Sequence, residues 1–213
     1  MAITTDVISV INDICQEVGD VGATRRTLAT YLMYVNDGQL KAAKQSANVN
    51  PMSVNFNLVA GALQTLPSDA IKLIEIPFNT SSDGSVIGLP INKSDLPTVI
   101  SRNSSWTADP ASISVGCYMY NEDNPLQFYV YPVQPATPGY VKLIYSAIPA
   151  NIANYTAGTK ITISDDFSNA LFNYGCYRCY SEDSAFGNQA DKRDHHFAQY
   201  LSELGLPKHL VDN

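Results

Sequence analysis

Cys176-Tyr177-Arg178-Cys179 places two thiols at the spacing of dithiol redox sites. In such sites one thiolate is stabilised at a helix N-terminus that follows a strand. Here the pair falls within a stretch of helical periodicity, where a free cysteine behaves as a small hydrophobe, so buried structural thiols are the preferred reading. His195 and His196 adjoin Asp191 and Asp194, and Asp191 with His195 shares a helix face, as metal-ligand pairs do. Two ligands do not complete a site, and adjacent histidines project about 100° apart around a helix, which reads as a solvated face. Arg25-Arg26 lies near a helix N-terminus, against the dipole, which fits an ion pair between subunits as well as plain surface charge. Tyr118, Tyr120, Tyr129 and Tyr131 could stack sugars or bases, or could pack in a core or interface. No nucleophile elbow, phosphate-cradling loop or zinc-binding helix motif is present, so no catalytic, cofactor or metal residue is assigned.

The elements that must position these residues follow from periodicity. Val7, Val10, Ile11, Ile14, Cys15 and Val18 recur at helical spacing after the cap candidates Thr4, Thr5 and Asp6, and Gly19 to Gly22 end the run. Leu28, Tyr31, Leu32, Val35, Leu40 and Ala43 form a second stripe after Thr24 or Thr27, running through the turn-like Asn36-Asp37-Gly38. From about Asn50, short β-branched and aromatic runs punctuated by Pro, Gly and Asn predict strands at 54–59, 73–78, 88–91, 116–120, 127–131 and 140–145. The clearest hairpin joins Cys117–Tyr120 to Leu126–Tyr131 through Asn121 to Pro125, and the pattern favours an antiparallel sheet or sandwich over βαβ units. Helical spacing returns after Ser164 or Asp165 as cap, breaks at Gly187-Asn188, and stops at Gly205-Leu206-Pro207. The expected class is α+β: a four-helix bundle from residues 1–50 and 164–213, with an inserted antiparallel β domain at 51–163.

Composition bounds the function. Among 213 residues, 45% are hydrophobic, and 13 Lys/Arg against 20 Asp/Glu give a net charge of -7. That is ample apolar material for a core, and the wrong charge for gripping nucleic acid by its phosphates. Four cysteines are too few for a disulfide framework. Residues 1–18 show no secretory pattern and no run is long enough to span a membrane, so a soluble, non-secreted protein is expected.

The order of longer motifs adds a further reading. Leu28-Ala-Thr-Tyr-Leu-Met-Tyr-Val-Asn-Asp-Gly-Gln39 precedes Leu58-Val-Ala-Gly-Ala-Leu-Gln-Thr-Leu-Pro-Ser-Asp-Ala-Ile71, then Lys93-Ser-Asp-Leu-Pro97 and Trp106. Pro125 to Pro132, Tyr145 to Pro149, Asp166 to Tyr174 and Tyr177 to Asp183 follow. From about residue 5 to 205 this succession resembles the phage adaptor family to which the tail tubular protein A of T7-like phages is related. Cys176, Cys179 and the double histidine depart from that pattern.

The resemblance implies a structural virion protein without cofactors. It would be a head-to-tail connector ring, commonly dodecameric, joining the portal protein to the tail nozzle protein at the head-tail junction. Assembly would occur in the host bacterial cytoplasm, and DNA would pass through the channel during ejection without specific binding. On that reading Arg25 and Arg26 serve the ring interface, while Ser82, Asp83 and Gly84, with Pro135, Thr137 and Pro138, form nozzle-facing loops. Leu206, Lys208, His209, Leu210 and Val211 dock the tail of the chain onto the portal, although Leu206 and Leu210 could instead fold back on the helices. With no coiled-coil seam, the isolated chain is expected to be mostly monomeric. A Tyr-lined carbohydrate-binding β module and a small Cys176/Cys179 redox enzyme stand as alternatives.

Overall fold

The computed structural model describes residues 3–183 and 189–207. Its described residues form five helices and two sheets, a mixed α+β protein. The chain divides into two compact units, Met1–Asn50 with Ile148–Asn213, and Pro51–Ala147.

The first unit contains α1 (Val7–Glu17) and α2 (Leu28–Gln45), and later α4 (Ser168–Glu182) and α5 (Gln189–Glu203). In α1 the residues Val7, Val10, Ile11, Ile14 and Cys15 are all buried, as their spacing predicts. Gly19 closes the helix in the left-handed region (φ +68°), where the Asp20 N–H donates to the Cys15 carbonyl at 2.8 Å and the Gly19 N–H to that of Gln16 at 3.2 Å. Thr27 caps α2 by accepting the Thr30 N–H at 3.2 Å. The turn-like Asn36-Asp37-Gly38 stays helical because its three residues serve packing and tethering. A Cβ on Gly38 would lie 3.0 Å from the Tyr174 ring, and a Cβ on Gly175 would meet the Ile14 side chain at 2.3 Å, so α2 and α1 approach α4 closely at these two glycines.

Residues 148–163 belong with this unit, ahead of the 163/164 boundary expected from composition. The Asn36 amide donates to the Ile152 carbonyl and accepts its N–H, at 3.0 and 2.9 Å. The buried Gln39 carbonyl accepts the Thr162 N–H at 2.7 Å. Asp165, an expected cap of α4, acts elsewhere: its carboxylate accepts the N–H groups of Thr4 and Thr5 at 2.8 and 3.0 Å, while a single 3-10 turn (Asp165–Phe167) leads into the helix. The C-terminal stop is as expected. Gly205 is left-handed (φ +69°), and the Leu206 N–H closes on the Leu201 carbonyl at 2.9 Å.

The second unit holds nine strands and one short helix: β1 (Pro51–Asn57), β2 (Gly61–Thr65), β3 (Ala70–Glu75), β4 (Phe78–Thr80), β5 (Ile87–Pro90), β6 (Asn92–Ser94), α3 (Leu96–Arg102), β7 (Cys117–Tyr120), β8 (Gln127–Gln134) and β9 (Tyr140–Ala147). One sheet runs β1-β9-β4-β5 with β3 also on β9; the other runs β2-β8-β7-β6. Alternation along β9 buries Val141, Leu143, Tyr145 and Ala147, which join Phe128, Val130 and Tyr118 of the other sheet in one core. The strand expected at 73–78 is two strands, because Pro77 offers no N–H to continue the ladder.

One expectation fails in part. Every pairing is antiparallel except β6 with β7, which is parallel and needs a crossover. The crossover contains α3, capped by Asp95 through the Thr98 N–H at 3.0 Å. Seven helical residues with none buried leave too little periodicity to be read from sequence.

Candidate functional site

Cys176 and Cys179 are not placed as an accessible dithiol would be. Cys176 and Cys179 are both fully buried in mid-α4, and burial pushes the Cys179 thiol up to about 12 and the Cys176 thiol higher still. Neither supplies thiolate at neutral pH. His196 is not on a solvated face. It is buried and stacked on Tyr180, with Nδ1 2.9 Å from the Asn173 carbonyl oxygen and Nε2 3.6 Å from the Glu17 carboxylate, and burial lowers its pKa. His195 is exposed. Among the described residues, no three His, Cys, Asp or Glu side chains group as metal ligands would.

Arg25 and Arg26 are engaged within the chain. The Asp20 carboxylate is 1% exposed and accepts the N–H groups of Thr24, Arg25 and Arg26 at 2.9, 2.9 and 3.0 Å, and the Tyr31 hydroxyl at 2.8 Å. Burial opposes its charge, but these donors outweigh burial and hold its pKa far below the usual carboxylate range. The loop so fixed aims Arg26 at the end of α4. There it pairs with Glu182 and Asp183 at 3.2 and 3.0 Å and donates to the Cys179 carbonyl at 3.1 Å, its side chain 9% exposed. Arg25 also reaches Asp183, at 3.1 Å, but its side chain remains 53% exposed.

The hairpin tyrosines divide between two faces. β7 pairs with β8 as expected, but Tyr118 lies opposite Val130 and Tyr120 opposite Phe128, facing the core. Tyr129 and Tyr131 point the other way, both edge-on to the buried Trp106. A strand's alternation keeps the four rings from forming one platform, while Tyr120 and Tyr129 both line a cavity of about 700 Å³ at the N-terminal end of α3.

The two polar loops come together through strand register. Thr80 pairs with Tyr140, so the 81–86 loop that follows β4 and the 135–139 loop that precedes β9 share one end of the sheet. That end is opposite the one where the chain enters at Pro51 and leaves at Ala147. Both loops are pre-shaped. The Asp83 carboxylate accepts the Ser85 N–H at 3.1 Å and the hydroxyls of Ser81 and Ser85, which keep it ionised to about pH 2. Asn55 donates to the carbonyls of Ser81 and Ser82 at 3.2 and 3.0 Å. The Gln134 side chain bridges the second loop, accepting the Gly139 N–H at 3.0 Å and donating to the Ser112 carbonyl at 2.9 Å. A Cβ on Gly139 would lie 2.0 Å from the Ile113 carbonyl oxygen.

Beside these loops is a feature that sequence reasoning missed. Val86, Ile87 and Leu89 on and beside the edge strand β5 are 62%, 69% and 68% exposed. Solvent-facing apolar residues on an unpaired edge are a surface suited to a partner. The available signal was Val86-Ile87-Gly88-Leu89 directly after a Ser-rich turn. Of the expected portal contacts, Leu206 is half-buried, while Lys208, His209, Leu210 and Val211 lie outside the described residues.

Among the described residues no helix is long and apolar enough to cross a membrane. No curated protein matches the sequence. It does match the family described as SU10 adaptor protein, and the match extends from residue 5 to residue 212, through both units. A correspondence that spans nearly every element above places the chain in the SU10 adaptor protein family, a family of structural phage proteins.

Proposed function

We propose that the protein is a head-to-tail adaptor, forming a ring between portal and tail nozzle and lining part of the DNA channel. The observation that carries this reading is the family match over residues 5–212. A net charge of -7 is compatible with a channel wall that repels rather than holds DNA. The four helices of the first unit act as a bundle, and the residues from Leu206 to Val211 dock on the portal. Arg25, the more exposed arginine of the pair, is the candidate for a ring contact, while Arg26 supports it from inside. The loops at Ser82 to Gly84 and Pro135 to Pro138, with β5 beside them, meet the nozzle. The resemblance to tail tubular protein A and a dodecameric stoichiometry belong to the same reading, as does assembly in the host cytoplasm before incorporation in the virion.

The test is native mass measurement and electron microscopy of the purified chain, alone and with the portal protein of the same phage. A chain that is monomeric alone and forms rings on portal supports the proposal. A chain that ignores portal, or forms stable rings without it, overturns respectively the adaptor role or the templated assembly.

A further inference from the structure

We propose that the cavity between the start of α3 and the β7–β8 turn is a binding site for a neutral saccharide of one or two rings. This goes beyond the adaptor role and does not depend on it.

Strand register builds the site. Met119 lies opposite Tyr129, and Gln127 is two residues along β8, so the three share the sheet face turned away from the core. β6 ends with Ser94 opposite Met119, which delivers Asp95, Leu96 and Pro97 beside them as one wall. The turn supplies the rest, through Asn121, Glu122 and Asn124. The space between has a volume of about 700 Å³, within the range of about 300–1,000 Å³ usual for small-ligand sites. Its walls are held before any ligand enters. Tyr129 packs edge-on to the buried Trp106 at 6.2 Å, Asn121 accepts the Asp123 N–H at 3.0 Å, and the Asn124 amide donates to Gln127 Oε1 at 2.8 Å. Groups fixed in this way lose little freedom on binding.

The lining selects the chemistry of the ligand. Among the described residues no Lys, Arg or His lines the cavity, so an anion finds no counter-charge there. Two carboxylates do not make it a cation site. Asp95 already accepts the Thr98 N–H at 3.0 Å and feels Arg102, and the Lys93 ammonium stands 6.0 Å from the ring centroid of Tyr120, which also lines the cavity. β7 and β8 are each paired on both sides, so an extended peptide meets no free backbone ladder. What remains is a mixture of side-chain donors and acceptors. Among the described residues, Gln127 Nε2, Asn121 Nδ2 and the Tyr129 hydroxyl have no hydrogen-bond partner, and neither do Asn124 Oδ1 and the Glu122 carboxylate. Leu96, Pro97 and the Tyr129 ring add apolar surface. A sugar hydroxyl both donates and accepts, and a pyranose ring offers an apolar C–H face to an aromatic ring, so a neutral saccharide uses all of these groups. An ammonium or guanidinium only donates, and would leave the three donors unmatched.

Trp106 is the chain's only tryptophan and packs on Tyr129, so its fluorescence reports the site. Titrating the full-length chain with maltose, cellobiose or N,N′-diacetylchitobiose to about 10 mM should give a saturable change with at least one of the three, at a Kd of about 1 mM or below. Calorimetry on variants with an unchanged thermal melt then assigns the contacts. Tyr129→Ala should weaken binding about tenfold through loss of the ring. Gln127→Ala should weaken it about fivefold through loss of one donor, whereas Glu122→Gln keeps an acceptor and should change it less than about threefold. If Tyr129→Ala fails to fold, Gln127→Ala decides alone. No saturable change with any of the three sugars overturns the site, as does sugar binding that neither Tyr129→Ala nor Gln127→Ala weakens. Binding of spermidine that Glu122→Gln abolishes, with no sugar bound, overturns it in favour of a cation site. Ring assembly on portal is scored apart from sugar binding, so the failure of either reading leaves the other standing.

Discussion

Asp20 is the residue whose replacement should do most damage for the least change in shape. Asp20→Asn keeps the volume and one carbonyl oxygen, so the bonds to Oδ1 from Thr24 and Arg25 can survive. The other oxygen becomes an NH2 group that faces two donors, the Arg26 N–H at 3.0 Å and the Tyr31 hydroxyl at 2.8 Å. Two charge-assisted bonds at about 1.5–3 kcal/mol each are replaced by donor-donor contacts, so a loss of about 3–5 kcal/mol is expected. For a chain of this length that corresponds to a fall in Tm of roughly 10 °C. The pH dependence gives an independent signature. A carboxylate whose folded pKa is depressed stabilises the fold above its unfolded pKa of about 3.9, and loses that contribution as pH falls through the folded value. The gap between wild type and Asp20→Asn should therefore be constant above about pH 5 and narrow only in stronger acid. Urea titrations followed by far-UV circular dichroism measure both. A gap under about 0.5 kcal/mol at neutral pH, the spread of ordinary surface changes, would refute the reasoning.

Gly139→Ala should destabilise the β unit by about 1–3 kcal/mol, since the new methyl meets a backbone oxygen that cannot rotate away; Trp106 fluorescence during denaturation reads it. His196 has a lowered folded pKa, so the unfolded chain binds more protons and stability should fall as pH drops below about 6.5. That slope should disappear in His196→Asn when melting is followed between pH 5 and 7. Truncation after Pro207 retains the Leu206 N–H bond that closes α5, so the melt should be unaltered while portal binding, measured by co-sedimentation, weakens.

Much of the helical framework was legible because the information is local. The stripe Val7, Val10, Ile11, Ile14 and Cys15, the Thr27 cap and the stop at Gly205 each depend on residues within a turn or two. The β7–β8 hairpin was legible for the same reason, since its turn and strands are contiguous. Loop placement was only half legible. Polarity indicated that residues 80–85 and 134–138 are surface loops, but their adjacency comes from Thr80 pairing with Tyr140 across sixty residues of chain.

By itself, then, the sequence determined the apolar faces of α1 and α2, the stop of α5 at Gly205, the β7–β8 hairpin and a net charge of -7. Tertiary structure alone decided the fate of individual polar and reactive groups. Gly38 remains helical because Tyr174 packs on it, Asp165 tethers Thr4 and Thr5 instead of capping its own helix, and His196 turns inward onto Tyr180. The physical reason is that periodicity and capping are settled by neighbours in sequence, whereas burial, partner choice and electrostatic environment are set by groups brought close only when the chain folds.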